Sequence, residues 1–203
     1  MPGNRSRKHI TTALDPNLLT APFDSRTNWH VITGAPSCGK TTLIDLVAAE
    51  GYRTIPEWAR EHMEQEIVQG RTIDEIHADS TALQRRIFDQ QLTTERGLQA
   101  NEILFLDGAL PGSLAWYRVF GLNPNDILPN CFHHRYASVF ILDRLSHQLD
   151  GLRFEDEKIS DLLDEWISRD YAALGYDPVR IPALPADERL EFLLERLSGW
   201  ELI

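Results

Sequence analysis

The sequence predicts an α/β fold, a three-layer sandwich around a mainly parallel sheet of about five strands. Short apolar segments alternate along the chain with longer amphipathic ones, which is typical of strands joined by helical crossovers. The segments at 103–106 and 138–142 are almost wholly apolar, as expected for a sheet covered on both faces. The 203 residues are enough for one domain that buries roughly 70% of the surface of the unfolded chain.

Each of the first three predicted strands is a short run that a turn signal ends. The first reads W-H-V-I-T and continues into a loop with two glycines, the second is halted by Pro56, and the third stops at Asp107-Gly108. In chain order the predicted strands cover 29–33, 52–55, 103–106, 138–142 and 179–181.

Between the strands, apolar residues recur at every third or fourth position. The first helix carries Leu43, Leu46 and Val47 at this spacing and ends at Gly51. A much longer helix follows the second strand, and Leu83 and Ile87 are part of its apolar stripe. In chain order the predicted helices cover 40–50, 57–69, 73–101, 113–120, 126–135, 158–174 and 185–197.

Composition and charge argue against several classes of protein. Twenty basic and 31 acidic residues give a net charge of −11, which argues against binding to nucleic acid or to anionic lipid. No apolar run approaches the roughly 20 residues of a transmembrane segment. Two cysteines are too few for a disulfide framework and point to a reducing, cytoplasmic location. We expect a flexible N-terminal arm over 1–25 and one domain over 26–203.

One motif carries specific chemistry, and it lies between the first strand and the first helix. Residues 34–41 read G-A-P-S-C-G-K-T and match G-x-x-x-x-G-K-[ST], the Walker A pattern of P-loop NTPases. The glycines let backbone N–H groups point inward around an anion, and the helix N-terminus adds partial positive charge. Lys40 is expected to reach the β- and γ-phosphates, and Thr41 to bind Mg²⁺. The predicted nucleotide-binding residues are Gly34, Ala35, Pro36, Ser37, Cys38, Gly39, Lys40, Thr41 and Thr42.

Charged residues after the second and third strands are further candidates. Asp107 stands where an open α/β sheet binds ligands and can hold Mg²⁺, although Asp-Gly is also a favoured turn pair. Glu57 can accept the proton of a hydroxyl that attacks a γ-phosphate, or it can simply stabilise a helix N-terminus. Arg60, one turn later, can pair with Glu57, contact an anionic substrate or lie on the surface.

Four sequence blocks together resemble one P-loop family. They read I-T-G-A-P-S-C-G-K-T-T, I-P-E-W-A-R-E, F-L-D-G-A-L-P-G-S-L-A-W-Y and D-G-L-R-F-E-D-E. Their spacing, over about residues 29–197, is similar to that of the AAA-like P-loop family that includes the kinase domain of NadR and the TRPL-translocation-defect protein. The resemblance implies a fold like that of small nucleoside and nucleotide kinases.

The resemblance also implies roles for residues outside the Walker A motif. A lid near 143–157 would follow the fourth strand, with Arg153 as the arginine that stabilises charge on the transferring phosphoryl group. Gln84 and Arg85 would face the substrate cleft, and Glu57 would be the base or a substrate ligand.

One position departs from the family pattern. Family members often read Asp-Arg after the third strand, whereas Asp107 is followed here by Gly108. The missing arginine bears on kinase chemistry more than on nucleotide binding. Arg118, Arg144 and Arg153 are the candidates to replace it.

Three functions are compatible with these residues. In the first, ATP·Mg²⁺ donates its γ-phosphoryl group to a hydroxyl of a small, nucleoside-like acceptor, with Lys40, Glu57, Asp107 and Arg153 as the catalytic set. In the second, the chain is a regulatory NTPase that acts as a switch on a protein partner. In the third, it binds a nucleotide without catalysis. The absence of an N-K-x-D pattern favours ATP, with GTP left open.

Overall fold

The computed structural model describes residues 13–58, 80–145 and 157–199. Arg60, Arg153, most of the expected lid and nearly all of the helix predicted at 57–69 lie outside these residues. The strands are β1 (Ser25–Arg26), β2 (Trp29–Thr33), β3 (Arg53–Ile55), β4 (Leu104–Asp107), β5 (His134–Arg135), β6 (Ser138–Leu142) and β7 (Val179–Ile181). The α-helices of the described residues are α1 (Lys40–Ala49), α2 (Ser80–Gly97), α3 (Gly112–Val119), α4 (Glu157–Ala173) and α5 (Ala186–Gly199).

A five-stranded parallel sheet forms the centre of the fold, in the order β3-β4-β2-β6-β7. The central strand β2 pairs with β4 on one side and β6 on the other, so that Ile32 lies beside both Asp107 and Phe140. Since all five strands are parallel, their carboxyl ends share one edge of the sheet. The predicted α/β fold class is confirmed.

Alternating side chains of the three central strands enter two separate cores. Val31 and Leu106 belong to a core that also contains residues of α2, α3 and α4. Ile32, Phe105 and Phe140 point the other way, into a smaller core shared with α1 and α5. The strands are apolar throughout because each face is covered by helices. No helix within the described ranges is long and apolar enough to cross a membrane.

The segment predicted as a helix at 126–135 has a different structure. It contains two short 3-10 helices, Pro124–Asp126 and Leu128–Phe132, followed by β5. Pro129 has no N–H to donate within such a helix. The last two residues pair instead with β1 in a separate two-stranded parallel sheet. The prediction of an α-helix here was therefore wrong.

The second half of the expected N-terminal arm lies against the domain. A 3-10 helix covers Leu18–Thr20, and Phe23 packs with its ring centroid 5.2 Å from that of Phe132. Leu14 also contacts the larger core. The apolar side chains in this stretch supply the burial energy that keeps residues 13–25 in place, so the structure differs from the expected flexible arm over this range.

A buried ion pair joins α3 to α4. Both nitrogens at the end of the Arg118 guanidinium donate to the carboxylate of Asp170, at 2.5 and 2.8 Å. The two side chains are only 3% and 5% exposed, so neither charge could be solvated if the other were removed. Burial raises the pKa of Asp170, and the hydrogen bonds from Arg118 oppose that rise.

Replacing Arg118 with Met should lower the free energy of unfolding by about 3–5 kcal/mol, because it leaves a buried carboxylate without its counter-charge. The double variant Arg118→Met/Asp170→Leu should recover part of this loss. The measurement is urea unfolding at pH 7. Arg169→Met is the matched control. Arg169 pairs with Glu165 on the exposed face of α4, the helix that carries Asp170, so its replacement should cost less than about 1 kcal/mol. Equal losses for Arg118→Met and Arg169→Met would contradict the prediction.

Candidate functional site

The loop between β2 and α1 has a backbone that few sequences adopt. Gly34, Ser37 and Gly39 all have positive φ, at 148°, 61° and 88°. Gly39 is the residue that precedes the first turn of α1, and no acidic side chain lies in that turn. The partial positive charge of the helix N-terminus is therefore not neutralised locally, which suits the binding of an anion.

Gly34 is required by contact as well as by its backbone angle. A Cβ atom at this position would lie 2.9 Å from Cys38 Sγ and 3.0 Å from the carbonyl oxygen of Leu142. The loop thus packs directly against the last residue of β6. Any larger residue would push the loop away from the sheet.

The ammonium group of Lys40 is hydrogen-bonded to the backbone at the start of the loop. Its Nζ donates to the carbonyl oxygens of Gly34 at 3.1 Å and Ala35 at 3.4 Å, and the residue is buried. Thr41 is half-buried and Thr42 exposed in the first turn of α1. The loop thus combines a cation, an open helix N-terminus and glycine-permitted turns, which fits the phosphates of a nucleotide.

Asp107 lies next to this loop. It is the last residue of β4, buried and paired in register with Ile32, two residues before Gly34. The N–H of Gly108 donates to the Ile32 carbonyl at 2.9 Å, which continues the pairing of the two strands beyond Asp107. A buried carboxylate at the same sheet edge as the loop is chemically suited to a divalent cation.

Glu57 lies farther along the same edge. It follows β3, which pairs with β4 on the side away from β2, and it is half-buried. The next residue, Trp58, is buried and its indole N–H donates to the hydroxyl of Thr94 on α2 at 3.1 Å. The order of strands thus places Glu57, Asp107 and the Gly34–Thr41 loop successively along one edge.

The two substrate candidates described by the structure lie on α2. Gln84 is half-buried and precedes Gln91 by seven residues, so both lie on one helix face. The Gln91 side chain contacts the hydroxyl of Ser113 at 3.3 Å, which shows that this face is turned towards the chain after β4. Arg85 is exposed on the adjacent face.

Two of the three arginines considered as replacements for the missing one are engaged in ion pairs. Arg118 binds Asp170, as described above. Arg144, just after β6, pairs with Asp161 of α4. Arg153 lies outside the described residues.

Arg189, which the sequence analysis missed, contacts the loop directly. Its guanidinium donates to the carbonyl oxygen of Cys38 at 2.5 Å and to that of Asp143 at 3.0 Å. The residue is buried in α5 although it is charged. A signal was present in the sequence, because Arg189 precedes Leu193 by four residues and so interrupts the apolar stripe of the last helix.

A second missed residue, Glu95, supports the chain that follows Asp107. Its carboxyl group accepts the N–H of Leu110 at 3.1 Å and the hydroxyl of Tyr136 at 2.7 Å. The side chain is fully buried, and burial raises its pKa to about 7 despite these hydrogen bonds. Its position on the apolar face of α2, seven residues after Phe88, is the sequence signal that was overlooked.

Comparison with known families identifies the chain. A family model described as an AAA domain matches residues 29–189. This range is most of the chain, so the protein belongs to that AAA-domain family. The resemblance inferred from the four sequence blocks is confirmed. No curated protein matches the sequence.

Several solved structures share the fold. The NadR protein in complex with NR is similar with a TM-score of 0.64 and 20% identity, over 87% of this chain and 52% of that one. Deoxyadenosine kinase from M. mycoides has a TM-score of 0.59 and 14% identity, over 85% of this chain and 100% of that one. Thymidylate kinase from Candida albicans has a TM-score of 0.57 and 12% identity, over 86% and 92%. The chain spans about half the length of the NadR chain, and these similarities establish a kinase-like P-loop fold.

Replacing Glu95 with Gln should flatten the pH dependence of stability. The raised folded pKa means that Glu95 stabilises the protein fully below its ordinary pKa of 4.5 and loses this contribution as the pH rises through about 7. The slope contributed by one such group approaches about 1.4 kcal/mol per pH unit. Unfolding by urea between pH 5 and 8 should show this decline in the wild type and not in Glu95→Gln.

The matched control for this prediction is Glu188→Gln, which changes an exposed carboxylate on α5. It should keep the wild-type pH dependence. A decline of the same slope in Glu95→Gln and in the wild type would show that another group is responsible.

Proposed function

We propose that this protein is an ATP·Mg²⁺-dependent kinase that phosphorylates a hydroxyl group of a small, nucleoside-like metabolite. The observation that carries the proposal is the arrangement along one sheet edge. The Gly34–Thr41 segment, Asp107 and Glu57 lie at the carboxyl ends of three neighbouring parallel strands. Along this edge we assign phosphate binding to the loop, metal binding to Asp107 and proton acceptance to Glu57.

The loop residues bind and orient the nucleotide in this proposal. The backbone N–H groups of residues 34–42 surround the phosphates, and Lys40 exchanges its contacts with the Gly34 and Ala35 carbonyls for phosphate oxygens. Thr41 and Asp107 hold Mg²⁺, which neutralises charge on the phosphates when it is bound. ATP is the favoured donor, and GTP remains an alternative.

Glu57 has the role of proton acceptor. The acceptor hydroxyl attacks the γ-phosphorus, a new O–P bond forms, and the bond between the γ-phosphorus and the bridging oxygen breaks to release ADP. The hydroxyl proton passes to the Glu57 carboxylate and then to solvent. Trp58, anchored on Thr94, fixes the backbone next to this carboxylate.

The acceptor is proposed to lie between the sheet edge and the N-terminal half of α2. Gln84 and Arg85 are the candidates to contact it from the helix, together with Arg60. Arg153, in the proposed lid, stabilises charge on the transferred group. A nucleoside-like acceptor is supported by the structural similarity to deoxyadenosine and thymidylate kinases, and a cytoplasmic location by the free thiols of Cys38 and Cys131.

A regulatory NTPase that acts on a protein partner is the second candidate. The observation that favours it is Gly108, which stands where the family often has an arginine. Arg118 and Arg144 both bind carboxylates, which leaves Arg153 as the third of the candidates for this charge. The two functions differ in a measurable way, because only a kinase needs a small-molecule acceptor.

The kinase proposal predicts acceptor-dependent formation of ADP from ATP·Mg²⁺ in a panel of nucleosides and small alcohols. Lys40→Ala should abolish the transfer because it removes the cation at the phosphates. Glu57→Gln should lower kcat by about 10²–10⁴-fold, the usual contribution of a general base, while the affinity for ATP stays unchanged. The measurement is the rate of ADP formation with each acceptor, followed by a coupled assay.

Glu50→Gln is the control, because this exposed carboxylate lies at the opposite end of α1 from the loop. It should leave the transfer unchanged. ATP binding accompanied only by slow hydrolysis, indifferent to every acceptor and to Glu57→Gln, would contradict the kinase proposal and favour the switch.

A further inference from the structure

Arg189 joins three segments that are distant in sequence. It lies in α5, and its two hydrogen bonds reach Cys38 within the loop and Asp143 just after β6. The guanidinium nitrogen that binds Cys38 lies 3.5 Å from the position of a Cβ atom on Gly39. The arginine therefore supports the loop from the side of α5, at the residue before α1 begins.

The hydrogen bond to Cys38 acts on a peptide group of the proposed phosphate site. The carbonyl of Cys38 and the N–H of Gly39 belong to the same trans peptide group, so they point in opposite directions. With the carbonyl turned towards Arg189, the Gly39 N–H is turned away from it. A cationic donor on the carbonyl also polarises the peptide group and strengthens its N–H as a donor.

The second hydrogen bond fixes the start of the segment expected to form the lid. Asp143 is the first residue after β6, and its N–H donates to the Ile181 carbonyl at 2.8 Å. Its side chain accepts from Arg180, which also binds Asp164 of α4 at 2.8 and 2.9 Å. Through Asp143, Arg189 thus connects the loop to the last strand of the sheet.

We propose that Arg189 is a positioning residue for nucleotide binding, which holds the Cys38–Gly39 peptide group with its N–H directed at the phosphates. This inference rests on the nucleotide binding in the proposed function. Arg189 does not touch the phosphate in this account. It acts through the peptide group and through the end of β6.

Packing alone does not explain a buried guanidinium, because removing a charge from water is unfavourable unless polar partners compensate for it. Arg189 is 2% exposed, and it lies one helical turn before Leu193, which belongs to the smaller core. Leu193 itself is fully buried there, as expected for an apolar side chain on this face of α5. The arginine is therefore explained by the two carbonyl groups that it binds, because a buried charge needs such partners.

The test compares the affinity for ATP·Mg²⁺ among folded variants at 15 °C, by isothermal titration calorimetry. Arg189→Met should weaken binding at least tenfold. Arg189→Lys should be intermediate, since it keeps the charge but lacks the two-pronged geometry of the guanidinium. If Arg189→Met does not fold, Arg189→Lys carries the comparison. Each variant is also melted, so that affinity and stability are measured separately.

Two controls separate positioning from stability and from charge. Leu193→Ala lowers Tm by leaving a cavity in the same helix, and it should bind ATP·Mg²⁺ like the wild type. Arg196→Met removes an exposed arginine of that helix and should also bind normally.

The inference is overturned if every folded Arg189 variant binds within twofold of the wild type, or if Leu193→Ala weakens binding as much as Arg189→Met at an equal loss of Tm. A wild type that binds no ATP·Mg²⁺ would overturn both this inference and the kinase proposal. Weak binding by Arg189→Met in a protein without acceptor-dependent transfer would uphold the inference and reject only the kinase.

Discussion

The turn from β2 into α1 sets the strictest condition on this fold. Three residues of the turn have positive φ, and the first of them, Gly34, has room for no side chain between Cys38 and the carbonyl of Leu142. The turn can keep this shape only if β2 and β6 lie side by side. Its outward carbonyls must also find donors, and Lys40 and Arg189 supply them. The parallel sheet and its two apolar cores provide the rigid frame that this arrangement needs.

Helix α2 holds the segments that follow β3 and β4 by side-chain hydrogen bonds, as α5 holds the loop that follows β2. Thr94 binds the indole of Trp58 beside Glu57, and Glu95 binds the backbone of Leu110 after Asp107. The two carboxylates proposed to act in catalysis are thus placed by neighbouring backbone and packing. In this account the geometry of the site depends on buried residues that are not themselves proposed to contact the ligand.

Local sequence patterns predicted most of the fold but not the contacts between residues that are far apart in the chain. The bounds of β2 and β6 followed from short, largely apolar runs, and the loop from its glycines and Lys40, because those signals lie within a few residues. The segment at 126–135 was misassigned since its last residues pair with β1, about 109 positions away. The contact between Arg189 and Cys38 spans 151 positions, and a helical pattern alone does not say which carbonyl a buried arginine will meet.

The most direct test of the account is equilibrium binding of ATP·Mg²⁺ to the wild type and to Gly34→Ala. The account predicts saturable one-to-one binding by the wild type, and its loss in Gly34→Ala because the added methyl group displaces the loop from Leu142. Gly51→Ala is the matched control: Gly51 also has positive φ, at 90°, but a Cβ atom there meets nothing within 4 Å. It should bind ATP·Mg²⁺ normally. Binding that survives Gly34→Ala, or that is absent from the wild type, would contradict a phosphate-binding role for this loop.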